Sequence, residues 1–174
     1  MFKRIMLRFR DMKTVSSLIS GAEEQANMSG EEKPGAEHYV LSALNLDDGS
    51  ARRVFEAAGI DAQQFREALK QQYVEALKQQ YVEALSSIGV SSEAIDGTPE
   101  SIEPNTKLHN SQPSGQALMK SLYAIKQGDK ARPLLGAHVI RVAAEMEYGV
   151  VARAFRVMGV NREQLVALAN NECG

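Results

Sequence analysis

Apolar residues recur at spacings of three and four through Val15, Leu18, Ile19, Ala22 and Ala26, which predicts a helix over about 14–27 with one buried stripe. The same stripe returns in Leu118, Met119, Leu122 and Ile125, predicting a helix over about 115–127. After each comes a polar connection, then a second helix near 38–46 or 138–146 and a third over about 50–58 or 150–158. The two series correspond through one constant shift of 100 positions, without a gap, over residues 35–65 and 135–165. His38 recurs as His138, Gly49 as Gly149, Arg53 as Arg153, Phe55 as Phe155 and Gly59 as Gly159, while Ile60-Asp61 returns as Val160-Asn161 and Phe65 as Leu165. Matches at both turn and core positions describe one small helical unit that was duplicated.

The end of the third helix carries the sharpest local signal. Gly59 or Gly159 supplies the left-handed residue that closes a helix, and Ile60 or Val160 follows to pack back on the last turn. Asp61 or Asn161 then caps a fourth helix, with Gln64 or Gln164 three residues on, as in a capping box. Each copy therefore reads as four helices joined by tight turns. A unit of roughly 50 residues buries little surface alone, so the two copies are expected to pack face to face. The predicted fold is all-α: a pseudo-two-fold pair of four-helix repeats with an extended fourth helix and a flexible inter-repeat linker.

Residues 67–85 contain the octapeptide EALKQQYV twice in succession. Eight residues at 100° each leave a remainder of about 80° after two turns, so Leu69, Leu77 and Leu85 do not share a face. This pattern fits a local duplication that lengthened helix four, carried by good helix formers, better than a coiled-coil arm. Glu67 with Lys70 and Glu75 with Lys78 add weak support at spacing three. The polar stretch 86–114, rich in Ser, Pro, Asn and Glu, reads as a mobile linker. The first ten residues, MFKRIMLRFR, form an amphipathic lead-in with Phe2, Ile5, Met6 and Phe9 on one side; they lack the unbroken apolar stretch and cleavage site of a secretory presequence. The expected division is a basic lead-in at 1–11, a single domain over 12–169 and a tail at 170–174. Within the domain, repeat one covers 12–67, the octad helix and linker 68–115, and repeat two 116–169.

A chain of 174 residues with 44% hydrophobic content can build one real core. Its net charge of −2 exerts no global pull toward nucleic acid or anionic lipid. Local charge is uneven, with Lys3, Arg4, Arg8, Arg10 and Lys13 at the start and Glu93, Asp96, Glu100 and Glu103 in the middle. The single cysteine, Cys173, leaves no intrachain disulfide and fits a reducing, cytoplasmic setting. No apolar run approaches the roughly 18 residues of a membrane span. Neither a nucleic-acid nor a membrane partner is expected, and a monomer is expected rather than an oligomer.

Candidate chemistry is sparse. There is no GxxxxGK[ST], HExxH, CxxC or GxSxG sequence, so a P-loop and the common hydrolase motifs are missing. His38, His109 and His138 are dispersed; His38 and His138 occupy equivalent helix starts, where capping and packing explain them better than catalysis or metal binding. The pairs Glu23-Glu24, Glu31-Glu32 and Asp47-Asp48 point about 100° apart if helical and so make no acid/base site. Arg52, Arg53, Arg153, Arg156 and Arg162 form a strip diluted by Glu56, Glu145 and Glu163, too weak for a nucleic-acid interface. Neither an enzymatic activity nor a cofactor is expected.

The stretch Gly35-Ala36-Glu37-His38-Tyr39-Val40-Leu41-Ser42-Ala43-Leu44 resembles the G-T-E-H-L-L-L-x-L-L signature of the Clp N-terminal repeat domain. DDGSARRVFEAAGID at 47–61 is similar to that family's acidic turn, Gly, Ala-x-x-Val/Leu-Leu and G-V-D sequence, and 136–161 is a more divergent second copy. The resemblance covers about 12–67 and 116–169. It implies an all-α pseudo-dimer of two four-helix repeats without catalytic activity, which in Clp/Hsp100 unfoldases docks adaptor proteins and substrate polypeptides ahead of the ATPase modules. Partners so implied are adaptors, substrates and Clp ATPase subunits, for an isolated binding module or part of a larger protein. In some members the signature glutamate helps to recognise phosphorylated arginine. Glu37 matches that position, but its counterpart is Ala137, and Ala36 stands where the family has Thr. Glu37 is a candidate contact, since a carboxylate holds a guanidinium by paired hydrogen bonds, and equally a first-turn residue favoured by the helix dipole. Glu37, Tyr39 and Arg53 are the expected protein- or peptide-binding residues, with repeat one engaging ligands and repeat two chiefly completing the fold.

Overall fold

The computed structural model describes residues 2–87 and 112–174. Those residues form eight helices: α1 Phe2–Met28, α2 Ala36–Leu44, α3 Ser50–Ala57, α4 Ala62–Ser87, α5 Gln112–Gly128, α6 Gly136–Glu145, α7 Val150–Val157 and α8 Arg162–Cys173. Helices α5–α8 repeat α1–α4 in order, as the shift of 100 requires. His109, the acidic residues at 93–103 and most of the stretch read as a linker lie outside the described residues.

The helix closures follow their sequence signals. Gly59 and Gly159 have φ of 68° and 67°, the left-handed region open to glycine. Ile60 N–H donates to Phe55 O at 2.8 Å and Val160 N–H to Phe155 O at 2.9 Å, while Gly59 and Gly159 donate to Glu56 O and Arg156 O. Both turns are Schellman motifs that satisfy the last carbonyls of α3 and α7. Asp61 Oδ1 then accepts from Gln64 N–H at 2.8 Å and Asn161 Oδ1 from Gln164 N–H at 3.0 Å, capping α4 and α8.

The two halves share one core. Phe55 and its twin Phe155 meet edge to face at 6.5 Å, and Phe65 stacks on Phe155 at 5.2 Å and stands edge-on to Phe55 at 5.4 Å. Leu165, the twin of Phe65, is also fully buried. Because these rings come from α3, α4 and α7, neither repeat has a complete interior without the other. Offset and edge-to-face geometry adds about 0.5–1.5 kcal/mol per ring pair to the burial itself.

Two helices extend beyond expectation. α1 begins at Phe2 rather than near Thr14, so the basic lead-in and the first helix are one element; no Gly or Pro interrupts 2–20. α4 runs 26 residues through both octads to Ser87. The octad copies meet different surroundings, as the 80° remainder demands: Leu69 is buried and Leu77 is not, while Tyr81 is 47% exposed.

The pseudo-symmetry is imperfect at the helix ends. Arg162, the first residue of α8, donates from Nε to Ala144 O at 2.8 Å and from Nη2 to Met146 O at 2.5 Å. It thereby places a cation on the C-terminal carbonyls of α6, where the helix dipole is negative. Its counterpart in repeat one is Ala62, which has no donor to offer.

Candidate functional site

The first turns of α2 and α6 are where the repeat motif concentrates polar residues inside the fold. Each lacks a side-chain cap of the usual kind, because the N-cap is Gly35 or Leu135. Histidine three residues on compensates. Gly35 N–H donates to His38 Nδ1 at 2.9 Å, and Leu135 N–H to His138 Nδ1 at 3.1 Å. Nδ1 therefore carries a lone pair, and the proton sits on Nε2. In repeat one Nε2–H donates to Ser29 Oγ at 3.3 Å, and that hydroxyl donates to Gln25 O at 2.7 Å. Burial lowers the pKa of both imidazoles. A neutral His38 beside Glu37, 3.4 Å away, is accordingly not an ion pair. The expectation that these histidines cap and pack accounts for both.

Glu37 lies at the second turn position of α2 and is only 2% exposed. Tyr73 Oη donates to Glu37 Oε1 at 2.5 Å. Burial, and next the carboxylate of Glu37, push the Tyr73 phenol far above its usual pKa, which keeps the hydroxyl proton available for this bond. Tyr73 belongs to the first octad of α4. Its neighbourhood also includes Glu31, 6% exposed, and the exposed Arg153 of α7. Tyr39 is 8% exposed, and burial followed by Glu23 raises its pKa.

A further lid comes from α5. Ala36 N–H donates to Ser114 Oγ at 3.2 Å, 78 residues away in sequence. Gly115 lies so close that a Cβ there would meet Pro34 O at 2.6 Å and the Tyr39 ring at 3.2 Å. The signature run from Gly35 to Tyr39 is thus enclosed by α4 on one side and α5 on the other.

At α6 the arrangement is complementary. Gly136 N–H donates to Asp48 Oδ2 at 3.1 Å and Ala137 N–H to Ser50 Oγ at 2.8 Å. Asp48 Oδ1 also accepts from Ser50 N–H at 2.8 Å and from the Ser50 hydroxyl. The acidic turn of repeat one therefore supplies the anion at the N-terminus of a repeat-two helix, where the dipole favours it.

Of the three expected contact residues, Arg53 alone is open, with a side chain 54% exposed. Its Nε donates to Glu172 Oε2 at 2.9 Å and Nη1 to Asp48 O at 3.1 Å. Glu37 and Tyr39 are both buried, Glu37 against Tyr73 of α4 and Tyr39 beside Gly115 of α5. No local pattern points to Tyr73, Ser114 or the reach of Asp48 to α6, since each acts across more than thirty residues. Asp47-Asp48 was legible only as an acidic turn, not as an acceptor for α3 and α6.

Between the α3–α4 and α7–α8 turns lies an open cavity of about 300 Å³ on the pseudo-two-fold axis, lined by paired positions: Gly59 and Gly159, Ile60 and Val160, Gln64 and Gln164. It holds no titratable side chain. No group of three or more potential metal ligands occurs among the described residues.

Residues 12–130 match the model of the Clp repeat (R) N-terminal domain, more than half of the chain. The match spans α2, α3, α4 and α5; α6, α7 and α8 complete the pair beyond it. No curated protein and no solved structure matches the chain.

Proposed function

The chain belongs to the Clp repeat N-terminal domain family, and from that premise we propose that it is a non-enzymatic, cytoplasmic binding module that docks adaptor proteins or substrate polypeptides for a Clp chaperone/protease system. The observation that carries this reading is the family match over a shared all-helical core. Arg53 is the contact residue that a partner meets first, since it is exposed beside Asp48 and Glu172. Glu37 takes part once Tyr73 swings away from the carboxylate, which converts a satisfied internal acceptor into a site for a cationic side chain, and Tyr39 takes part once α5 withdraws from its ring. The decisive experiment is a pull-down with the full chain against Clp ATPase subunits, adaptor proteins and an unfolded client. Recovery of at least one class, reduced by Arg53→Ala or Glu37→Gln, supports the reading. Recovery of none overturns it.

A second reading treats α4 as an oligomerisation arm. It is favoured by Val74, Tyr81 and Val82, which are 51%, 47% and 36% exposed on the extended part of that helix. Deleting one octad separates the two. Because the copies are identical, the shortened chain still carries Tyr at position 73 and keeps its partner for Glu37. An unchanged monomer mass makes the second copy passenger sequence, whereas loss of an oligomer makes it the interface.

A further inference from the structure

The N-terminal half of α1 presents an apolar face that none of the described residues covers. Ile5, Met6, Phe9 and Met12 are 49%, 60%, 69% and 68% exposed, and Ile19 continues the row at 37%. At 100° per residue, Ile5, Phe9, Met12 and Ile19 fall within an arc of about 80°, and Met6 widens it to about 140°. Arg8 borders the face on one side and Arg10 on the other, Lys13 falls between Phe9 and Met6, and all three cations are exposed. Positions 3–13 hold five cations, Lys3, Arg4, Arg8, Arg10 and Lys13, against one acid, Asp11. Asp11 points the other way. It pairs with Lys126 at 2.8 Å and accepts from Leu134 N–H at 2.8 Å, so it fastens the back of α1 to the domain, away from Arg8, Arg10 and Lys13.

We propose that this face of α1 docks the protein peripherally on an anionic lipid surface. Three features select that occupant. The width of the apolar arc exceeds the narrow seam of a helix pair, while apolar residues flanked by Arg on both sides, with Lys13 among them, match a helix lying in a membrane interface with its cations reaching the head groups. The back of the helix is held by the domain through Leu18 and Ala22, both fully buried, so a groove cannot wrap it, whereas a planar surface meets it unhindered. A second copy of the chain is disfavoured, since pairing two such faces brings Arg8, Arg10 and Lys13 of each together. The lack of a membrane-spanning helix among the described residues concerns spanning and leaves surface docking open.

The test is co-sedimentation of the full chain with vesicles of phosphatidylcholine alone or mixed with phosphatidylglycerol. Binding to the anionic vesicles is expected to exceed that to neutral ones by roughly fivefold for each cation that reaches the surface, and to fall as salt shortens the Debye length. Phe9→Glu/Met12→Glu is expected to weaken binding by roughly tenfold or more while leaving the melting temperature unchanged, because both side chains are already exposed. Equal binding to both vesicle types, binding that survives the double substitution, or no sedimentation each overturns the proposal. Capture by an acidic polypeptide such as polyglutamate without vesicle binding also overturns it, and assigns the face to an acidic protein.

Discussion

Replacing Tyr73 by Phe removes one oxygen atom and tests whether the octad helix is docked on the signature glutamate. Tyr73 is the hydrogen-bond donor to Glu37 Oε1, and the carboxylate is 2% exposed. A hydrogen bond to a charged group contributes about 1.5–3 kcal/mol, and a buried acceptor that loses its donor bears its full desolvation cost. Tyr73 itself is only partly buried, so water can replace some of the lost interaction. The expected destabilisation is therefore near the middle of that range, about 2 kcal/mol, or about 4–8 °C in melting temperature for a domain of this size. Circular dichroism at 222 nm during thermal unfolding measures it directly. A double-mutant cycle with Glu37→Ala isolates the pair, with a coupling of about 1–2 kcal/mol expected for groups in contact. A Tyr73→Phe protein that melts within about 1 °C of the parent, with no coupling to position 37, would refute the docking of α4 on α2.

Three other outcomes follow from the same geometry. Gly159→Ala places a side chain at φ of 67° and is expected to cost about 1–2 kcal/mol in urea unfolding, as is Gly59→Ala; a neutral substitution would mean that the turn is not left-handed. Asp48→Ala strips the acceptor from Gly136 N–H and Ser50 N–H and is expected to cost about 1–2 kcal/mol, read as a lower denaturation midpoint at constant slope. His38 and His138 both have pKa values lowered by burial. Their contribution is present in full above the unfolded value of about 6.5 and is lost as pH falls below it, at up to about 1.4 kcal/mol per pH unit for each. His38→Asn, whose Oδ1 can stand in for the Nδ1 acceptor, is expected to flatten the change in stability between about pH 7.5 and 5.5; an unaltered slope would sink the assignment.

What was legible in the sequence is what local chemistry decides. Gly59-Ile60-Asp61 and Gly159-Val160-Asn161 specify closure and restart within three residues, and their bonds span at most five. The start of α1 shows where periodicity misleads. Ile19 was read as part of the buried stripe, yet it belongs to an outward row with Ile5, Phe9 and Met12, whereas Leu18, Ala22 and Ala26 face the core. Two apolar rows on one helix made the lead-in look like a separate element. The enclosure of Glu37 was not legible for a different reason. Tyr73 and Tyr81 have identical neighbours over most of an octad, and only the 80° rotation between copies turns one inward and the other to solvent.

The departure of repeat two from the signature is balanced by a contact from repeat one. In repeat one the acid beside the α2 N-terminus is local, Glu37. At the matching place in repeat two stands Ala137, fully buried, and a glutamate there would need a partner that the sequence does not supply at the twin of Tyr73. The α6 N-terminus does not go without an anion, since Asp48 reaches Gly136 N–H across the interface. The same residue holds Ser50 N–H at the start of α3 and, through its carbonyl, Arg53 Nη1. One acidic turn thus fixes α3, α6 and the exposed arginine together. Loss of the second glutamate then costs the fold little, because the dipole of α6 is already met. Among the described residues the signature glutamate stands in repeat one as Glu37 and is replaced in repeat two by Ala137, while the second repeat holds Phe155 against Phe55 and Phe65.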